Sequence, residues 1–337
     1  MAGTVDYAAG SLRAQLHRIF SPGPGEDGIA LPVPLRLHYA LWLTRPEIAP
    51  MSVGIMAADV LFSARSWDEI LTVPMLVASL MLAAAIQLLH VANCLADRWV
   101  DVDYKSKFSR MVRDLGVRFV ARQIYATTAF IGVSALYLTW ATGHPDLLPL
   151  IVLGTVLLLQ YSLPPWHFKA SGLWQIPFTY LMTMVFPGLV VLRLYDRGIE
   201  VAALVAILGM GLTLTGLFSI NTAEDIPEDA EHDILTSVRA LGLRTSLIES
   251  FTRVLVGALM VAGGTLALRG GIWSLVPYGA GVLIALGFVG STLVRVWSAD
   301  LDAAMPVLRA RAKFFTAMVA LVSWVTVVPA AAVFAAR

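Results

Sequence analysis

The sequence predicts an all-α, polytopic membrane protein built as a bundle of nine transmembrane helices. Of its 337 residues, 58% are hydrophobic and only 14% are charged, whereas a soluble domain is about one quarter charged. The mean hydropathy of +0.76 agrees with this composition. Proline and glycine interrupt the apolar stretches at intervals that suit helices long enough to cross a bilayer.

A helix that spans a membrane needs about 20 mainly apolar residues. Nine stretches meet this requirement and predict helices over about residues 37–63, 71–97, 117–141, 145–162, 173–193, 199–223, 245–268, 273–297 and 311–335. Residues 1–35 lack the apolar core of a cleavable signal peptide and contain Ser21-Pro22-Gly23-Pro24-Gly25. We therefore expect a flexible cytoplasmic N-terminal arm over residues 1–35 and one transmembrane domain over residues 36–337.

The placement of lysine and arginine predicts the orientation of the chain. Residues 98–122 and 295–313 are rich in basic side chains, and both segments face the same side if the N-terminus is cytoplasmic. Because cytoplasmic loops carry the excess of basic residues, we expect a multi-pass protein of the inner (plasma) membrane with its C-terminus outside. The long charged loops after the second and sixth helices then place any chemistry at the cytoplasmic face. The net charge of +1 gives no electrostatic reason to expect nucleic acid as a partner.

A first acidic motif lies at the end of the second predicted helix. Asn93, Asp97 and Asp101 follow one another at intervals of four residues, which places their side chains on one helical face. Carboxylates that lie close together in a low-dielectric setting repel each other and favour a bound cation. Oxygen ligands alone suit Mg²⁺, which shares its coordination shell with water and phosphate groups.

A second motif repeats this spacing at the end of the sixth predicted helix, with Asn221, Asp225 and Asp229. Pro227 is expected to bend or end the helix between the two aspartates. Two such motifs that face each other predict a carboxylate cage for two metal ions. For a single motif, a solvated helix end is an equally good interpretation. The repeat favours a cation site, because acidic side chains near a helix C-terminus oppose the helix dipole.

Several basic residues have two interpretations. Lys105, Lys107 and Arg110 follow the first motif and can serve as phosphate partners or simply as positive-inside charges. Lys169 follows a Pro-Pro pair and can meet a phosphate or extend to the membrane interface. Arg45, at the start of the first helix, is by position alone more typical of an interfacial anchor.

With these features the sequence resembles the UbiA superfamily of intramembrane prenyltransferases over roughly residues 37–335. Besides the two acidic motifs, the resemblance rests on three further matches. These are Arg45-Pro46, the stretch Tyr161-Ser162-x-Pro164-Pro165-x-x-x-Lys169-x-x-Gly172, and the spacing from Asp229 through Thr236 to Leu241-Gly242.

The resemblance implies a helical bundle around a central cavity that is capped on the cytoplasmic side. It implies Mg²⁺-dependent transfer of a prenyl group from an isoprenoid diphosphate to an aromatic or other lipid-soluble acceptor within the membrane, with membrane lipids as further partners. Asp97, Asp101, Asp225 and Asp229 would be catalytic and would bind Mg²⁺ together with Asn93 and Asn221. The diphosphate would be bound by Arg45, Lys105, Lys107, Arg110 and Lys169.

The sequence also departs from the family pattern, at positions that leave the acceptor open. Cys94 stands where an acid commonly follows the first asparagine, and Asp233 stands where a glycine is usual. The loop around Lys105 lacks an Arg-Pro pair, and no proline follows Thr236. An alternative on the same site is intramolecular cyclisation of a prenyl diphosphate. A non-catalytic membrane carrier is less favoured, because the acids cluster at one face.

Overall fold

A computed structural model describes residues 10–100, 106–195 and 198–337. These residues form seventeen α-helices with short 3₁₀ turns between some of them. The helices are α1 Leu12–Phe20, α2 Val33–Trp42, α3 Ala49–Ser63, α4 Trp67–Ile70, α5 Val73–Ala96, α6 Ser106–Leu115, α7 Val117–Thr142, α8 Leu147–Leu159, α9 Gln175–Tyr180, α10 Phe186–Arg193, α11 Val201–Ala223, α12 Ile226–Glu231, α13 Ser237–Leu241, α14 Leu243–Ala267, α15 Leu275–Val296, α16 Leu301–Ala312 and α17 Phe315–Ala335. The π-helical segment Leu181–Val185 joins α9 to α10.

Seven of the nine predicted stretches contain helices long and apolar enough to cross a membrane. They are Val73–Ala96, Val117–Thr142, Gly172–Arg193, Val201–Ala223, Leu243–Ala267, Ile272–Val296 and Phe315–Ala335. The protein is therefore helical and multi-pass, as the composition predicts. Because lipid offers the backbone no hydrogen-bonding partner, helices satisfy their own amide groups within each span.

The other two predicted stretches, 37–63 and 145–162, contain shorter helices. Arg45 adopts a left-handed conformation with φ of 56°, and the following Pro46 separates α2 from the 15-residue α3. Helix α8 has 13 residues and ends before the Pro164-Pro165 pair. Nine membrane crossings, as predicted, therefore require that α3 and α8 also cross the bilayer, although both are shorter than a typical span.

Contacts at the two ends of the bundle show at which end α8 begins and at which end α8 and α3 finish. Lys169, which follows α8, contacts Asp97 at the end of α5, whereas Asp146 at the start of α8 pairs with Arg193 at the other end of the bundle. Helix α3 ends beside the C-terminus, where Arg337 donates hydrogen bonds to the carbonyl oxygens of Phe62 and Ala64. Helix α8 thus returns to the end at which α5 finishes, which we call the motif end.

The bundle has two main apolar cores. One core centres on α11, α14, α15 and α17 together with α3, and the other on α5, α7 and α8. Glycines bring α11 and α14 into close contact: a Cβ atom on Gly257 would lie 2.4 Å from the carbonyl oxygen of Gly209. Small residues are the usual means by which membrane helices approach each other, because they expose the backbone to van der Waals contact.

The described part of the N-terminal arm packs against the motif end. Ser11 caps α1, and the backbone amide of Val117 donates a hydrogen bond to the carbonyl oxygen of Glu26. Residues 1–9 lie outside the described residues. From residue 10 onward, the segment that the sequence predicts to be flexible makes specific contacts with the start of α7.

Candidate active site

The first motif lies at the C-terminus of α5, where two of its side chains meet the segment that follows α8. Ser162 Oγ donates a hydrogen bond of 2.9 Å to Asn93 Oδ1. Lys169 Nζ donates a hydrogen bond of 2.6 Å to Asp97 Oδ2. Asp97 is only 2% exposed, so this is a largely buried, charge-assisted contact. The motif carboxylate therefore has a cationic neighbour.

Local backbone contacts position Lys169. The amides of Phe168 and Lys169 donate hydrogen bonds to the carbonyl oxygens of Gln160 and Tyr161, which folds the segment back on the end of α8. The Phe168 ring is buried and stacks on Phe178 of α9. Hydrogen bonds to the end of α8 and ring stacking on α9 therefore fix this segment in place, as expected for a rigid corner after a Pro-Pro pair.

The second motif spans the break between α11 and α12. Helix α11 ends at Ala223, and Asp225 precedes α12 with Pro227 in the first turn of that helix. The predicted break between the two aspartates is wrong in position, because the chain breaks before Asp225 and Pro227 lies in the first turn of α12, where its missing backbone donor costs no helical hydrogen bond. The amide of Asp229 donates to the carbonyl oxygen of Asp225 at 2.8 Å, so the two aspartates lie one helical turn apart.

Arg239 holds the end of this second motif in place. Its guanidinium donates hydrogen bonds of 2.9 Å and 2.6 Å to the carbonyl oxygens of Asp229 and Ile234. The Asp229 carbonyl lies in the last turn of α12, where a cation also interacts favourably with the helix dipole. Asp229 itself is 2% exposed. The backbone that carries Asp229 is thus fixed by a residue ten positions along the chain.

Tyr161 and Gln175 connect the two motifs. Gln175 Nε2 donates to the Tyr161 hydroxyl at 3.3 Å, and Gln175 Oε1 accepts a hydrogen bond of 2.7 Å from the amide of Ser237. The Tyr161 side chain lies within electrostatic range of Lys169, Asp97 and Asp229. The structure therefore brings both acidic motifs to one region of the motif end, with the segment after α8 between them.

Arg98, directly after Asp97, anchors the first motif to the arm. Its Nε donates to both carboxylate oxygens of Glu26 at 3.1 Å, and its Nη1 donates to the carbonyl oxygens of Ile19 and Leu95. The guanidinium also stacks over the Trp99 ring at 3.6 Å. Arg98 is 2% exposed, so its charge is neutralised and hydrogen-bonded within the protein.

The remaining predicted cations contact other groups. Arg45 pairs with Glu47 and lies 5.0 Å from the Phe108 ring centroid. Lys107 lies 3.7 Å over the Trp42 ring. The Arg110 side chain is 76% exposed and pairs with Asp114. Their roles as diphosphate ligands remain predictions, and Lys105 lies outside the described residues, as does Asp101.

The donor atoms fit a hard cation in their chemistry. Asn93, Asp97, Asn221, Asp225 and Asp229 offer only oxygen ligands, as Mg²⁺ prefers. Within the ranges that the structure describes, no three His, Cys, Asp or Glu side chains form a ready-made metal cluster. Burial lowers the pKa of His167 although the charge of Asp97 opposes the shift. His167 is therefore neutral at pH 7 and leaves Lys169 as the cation beside Asp97.

Three parts of this site could not be recognised in the sequence. Gln175 is a polar residue in an apolar stretch, and only its contacts with Tyr161 and Ser237 show that it links the motifs. Arg98 and Arg239 count in the sequence merely as positive-inside charges. The one available signal for Arg98 was its position directly after a motif aspartate.

Comparison with known proteins supports the fold. Neither a protein-family model nor a curated protein matches the sequence. Among solved structures, the chain is similar to a digeranylgeranylglyceryl phosphate synthase, with a TM-score of 0.59 and 15% identity over 88% of this chain and 99% of that one.

Two UbiA homologues give similar matches. One is from Archaeoglobus fulgidus, bound to GPP and Mg²⁺, with a TM-score of 0.55 and 14% identity over 85% of this chain and 99% of that one. The other, from Aeropyrum pernix K1, has a TM-score of 0.53 and 18% identity over 82% and 94%. The resemblance predicted from the motifs is confirmed at the level of architecture, and the chain has the fold of the UbiA superfamily.

Proposed function

We propose that this chain is a Mg²⁺-dependent intramembrane prenyltransferase, which transfers a prenyl group from an isoprenoid diphosphate to a lipid-soluble, aromatic acceptor. The reaction takes place at the motif end, which we assign to the cytoplasmic face of the plasma membrane. The observation that carries the proposal is the contact between Lys169 and Asp97, because it joins a buried carboxylate of one motif to a cation.

The arrangement of charges suits a diphosphate with its metal ions. Asp97, Asp225 and Asp229, with Asp101 as a further predicted ligand, would bind Mg²⁺, and Asn93 and Asn221 would assist. Lys169 already lies beside Asp97 and can exchange this contact for a phosphate oxygen, since ammonium groups bind both. Bound Mg²⁺ supplies positive charge that stabilises a departing diphosphate.

The seven long apolar helices suit an apolar substrate chain. In the proposed reaction the prenyl chain extends between these helices while its diphosphate remains at the polar end. Exclusion of water from such a site limits the quenching of an allylic cation. The relatives bound to GPP or DMAPP with Mg²⁺ support this substrate class for the present chain.

The proposal is tested with the purified full-length protein in lipid nanodiscs. GPP, farnesyl and geranylgeranyl diphosphate are incubated with Mg²⁺ and a panel of phenolic and quinone acceptors, and the products are identified by mass spectrometry. We expect prenylated acceptor from wild type, and loss of at least about 100-fold in rate from Asp225→Asn or after Mg²⁺ is removed. Asp68→Asn, which changes an exposed acid at the opposite end of the bundle, should retain wild-type activity.

The outcomes separate the alternatives. Mg²⁺-dependent release of diphosphate with a hydrocarbon or terpene alcohol, formed equally well without acceptor, would replace transfer by cyclisation. Unchanged turnover in both Asp97→Asn and Asp225→Asn would contradict the proposed metal site. If no prenyl diphosphate is consumed by a protein that binds none of them in the presence of Mg²⁺, the enzymatic proposal is wrong.

A further inference from the structure

A cavity lies within the membrane part of the bundle, between α3, α5, the end of α8 and the segment that leads from Leu181–Val185 into α10. Its enclosed volume is about 80 Å³, about half the roughly 150 Å³ of a cavity that holds benzene, so it has room for the end of a lipid and not for a whole one. Apolar side chains make up most of its wall. Val53, which is 47% exposed, lies at its edge, so the cavity is reached from the lipid side of α3.

Asp59 of α3 contributes a carboxyl group to this apolar wall. The residue is 1% exposed, and its Oδ1 has no hydrogen-bond partner. Ser63 Oγ donates to the backbone oxygen of Asp59. Among the described residues, no lysine or arginine forms an ion pair with the Asp59 carboxyl group. Burial of a polar group without a partner is unfavourable, because the group has lost its hydrogen bonds to water.

The other polar side chains of the wall are already satisfied. Ser52 Oγ donates to the carbonyl oxygen of Ile48, and Thr183 Oγ1 donates to that of Thr179. A lone water molecule would be held poorly here, because ordered buried waters usually make about three hydrogen bonds. The carboxyl group of Asp59 is therefore the polar feature of this cavity that still requires a partner from outside the protein.

The cavity extends from Asp59 towards the candidate active site. Leu89 lines it and lies one helical turn before Asn93 on α5, a distance of about 6 Å along the axis. Leu158, also in the wall, precedes Ser162 by one turn. The wall of the cavity thus begins about one helical turn from the first motif and continues to Asp59, deeper in the membrane.

We propose that this cavity binds a lipid with a hydroxyl or carbonyl group, and that Asp59 recognises the group by a hydrogen bond. A wholly hydrocarbon occupant would fill the space but leave the carboxyl unsatisfied. A hydroxyl or carbonyl group removes that cost, and the opening beside Val53 lets the rest of the molecule extend into the surrounding lipid. Identifying this lipid with the acceptor rests on the proposed function, and Asp59 is then a residue that determines acceptor specificity.

The binding step is tested without the metal site. Full-length protein in nanodiscs, with EDTA and no diphosphate, is titrated with farnesol and with farnesene, which differ chiefly in the hydroxyl group. Binding is followed by the ligand-dependent rise in unfolding temperature. Wild type should bind farnesol about tenfold more tightly than farnesene, the ratio expected for one hydrogen bond to a buried group.

Matched variants assign this preference to Asp59. Asp59→Asn keeps a hydrogen-bonding group and should preserve the preference, whereas Asp59→Leu should bind both lipids equally. Thr183→Val, in the same wall, removes a hydroxyl that the backbone already satisfies and should behave as wild type. Equal binding of the two lipids by wild type, or a preference that survives in Asp59→Leu, overturns the proposal.

The outcome is independent of the proposed catalysis. If Asp59→Leu does not fold, the ratio of the affinities for farnesol and farnesene in wild type and in Asp59→Asn still tests the proposal. If wild type binds farnesol no more tightly than farnesene while Mg²⁺-dependent turnover is intact, only the assignment of Asp59 fails. If farnesol binds through Asp59 but no prenyl diphosphate is turned over, the lipid site stands and the proposed function fails.

Discussion

The ammonium group of Lys169 lies 2.6 Å from the carboxylate of Asp97, although 72 residues separate them in the sequence. The side chains are 14% and 3% exposed, so the pair is shielded from water and each partner depends on the other. It joins the end of α5 to the segment after α8, and through Tyr161 and Gln175 this segment also reaches the second motif.

Replacement of Lys169 by methionine should therefore weaken both the fold and substrate binding. Removal of one partner of a buried ion pair typically costs about 3–5 kcal/mol, and the loss of a charged phosphate ligand weakens binding by roughly tenfold or more. The unfolding temperature and the Kd for farnesyl diphosphate with Mg²⁺ measure the two effects.

The double variant Lys169→Met/Asp97→Asn provides the internal check. It should be more stable than Lys169→Met alone, because the buried carboxylate no longer lacks a cation. Lys107→Met, which removes an exposed cation over Trp42, should leave the unfolding temperature nearly unchanged. If the losses of stability in Lys169→Met and in Asp97→Asn are additive in the double variant, the two side chains are not coupled.

Substitution of Glu26 by glutamine should destabilise the protein, since it leaves the buried Arg98 charge without an anion. We expect a loss of about 3 kcal/mol and faster proteolysis of the arm. Asp27→Asn is the control, because the neighbouring Asp27 is exposed and surface changes usually stay within about 0.5 kcal/mol. Equal melting curves for both variants would show that the arm does not hold the first motif.

Gln175→Met should separate the two motifs without removing a charge. It deletes hydrogen bonds to Tyr161 and Ser237 while retaining the volume of the side chain. The Tyr161 hydroxyl and the Ser237 amide are then buried beside an apolar side chain without this partner, which is unfavourable. We expect a higher KM for the prenyl diphosphate and faster amide hydrogen exchange in residues 161–172 and 234–241. Exchange rates that match wild type would contradict a linking role.

The glycine contact between α11 and α14 predicts a sharp difference between two alanine variants of one helix. A Cβ atom at Gly257 would lie 2.4 Å from the Gly209 carbonyl oxygen, whereas one at Gly263 would meet open space. Gly257→Ala should cost about 1–3 kcal/mol or more through overpacking. Gly263→Ala should be neutral or stabilising by up to about 1 kcal/mol, as judged by thermal unfolding in nanodiscs.

The class of fold and the position of both motifs along the chain follow from local properties of the sequence. Length, apolar composition and the spacing of Pro and Gly are local properties, and spanning helices form their hydrogen bonds locally, so seven spans could be predicted closely. The four-residue intervals from Asn93 and from Asn221 likewise follow from helical geometry. Arg45 is different, because its left-handed backbone shortens the first predicted span and is not dictated by its residue type.

Which charges meet depends on the packing of distant segments. Lys169 and Lys107 are both basic residues near a motif, yet one contacts Asp97 and the other lies over Trp42. Arg98 and Glu26 pair only because the arm packs against the end of α5, 72 positions along the chain. Asp59 became significant only when the packing of the neighbouring helices enclosed its carboxyl group, because burial without a partner is a property of the neighbours and not of the residue.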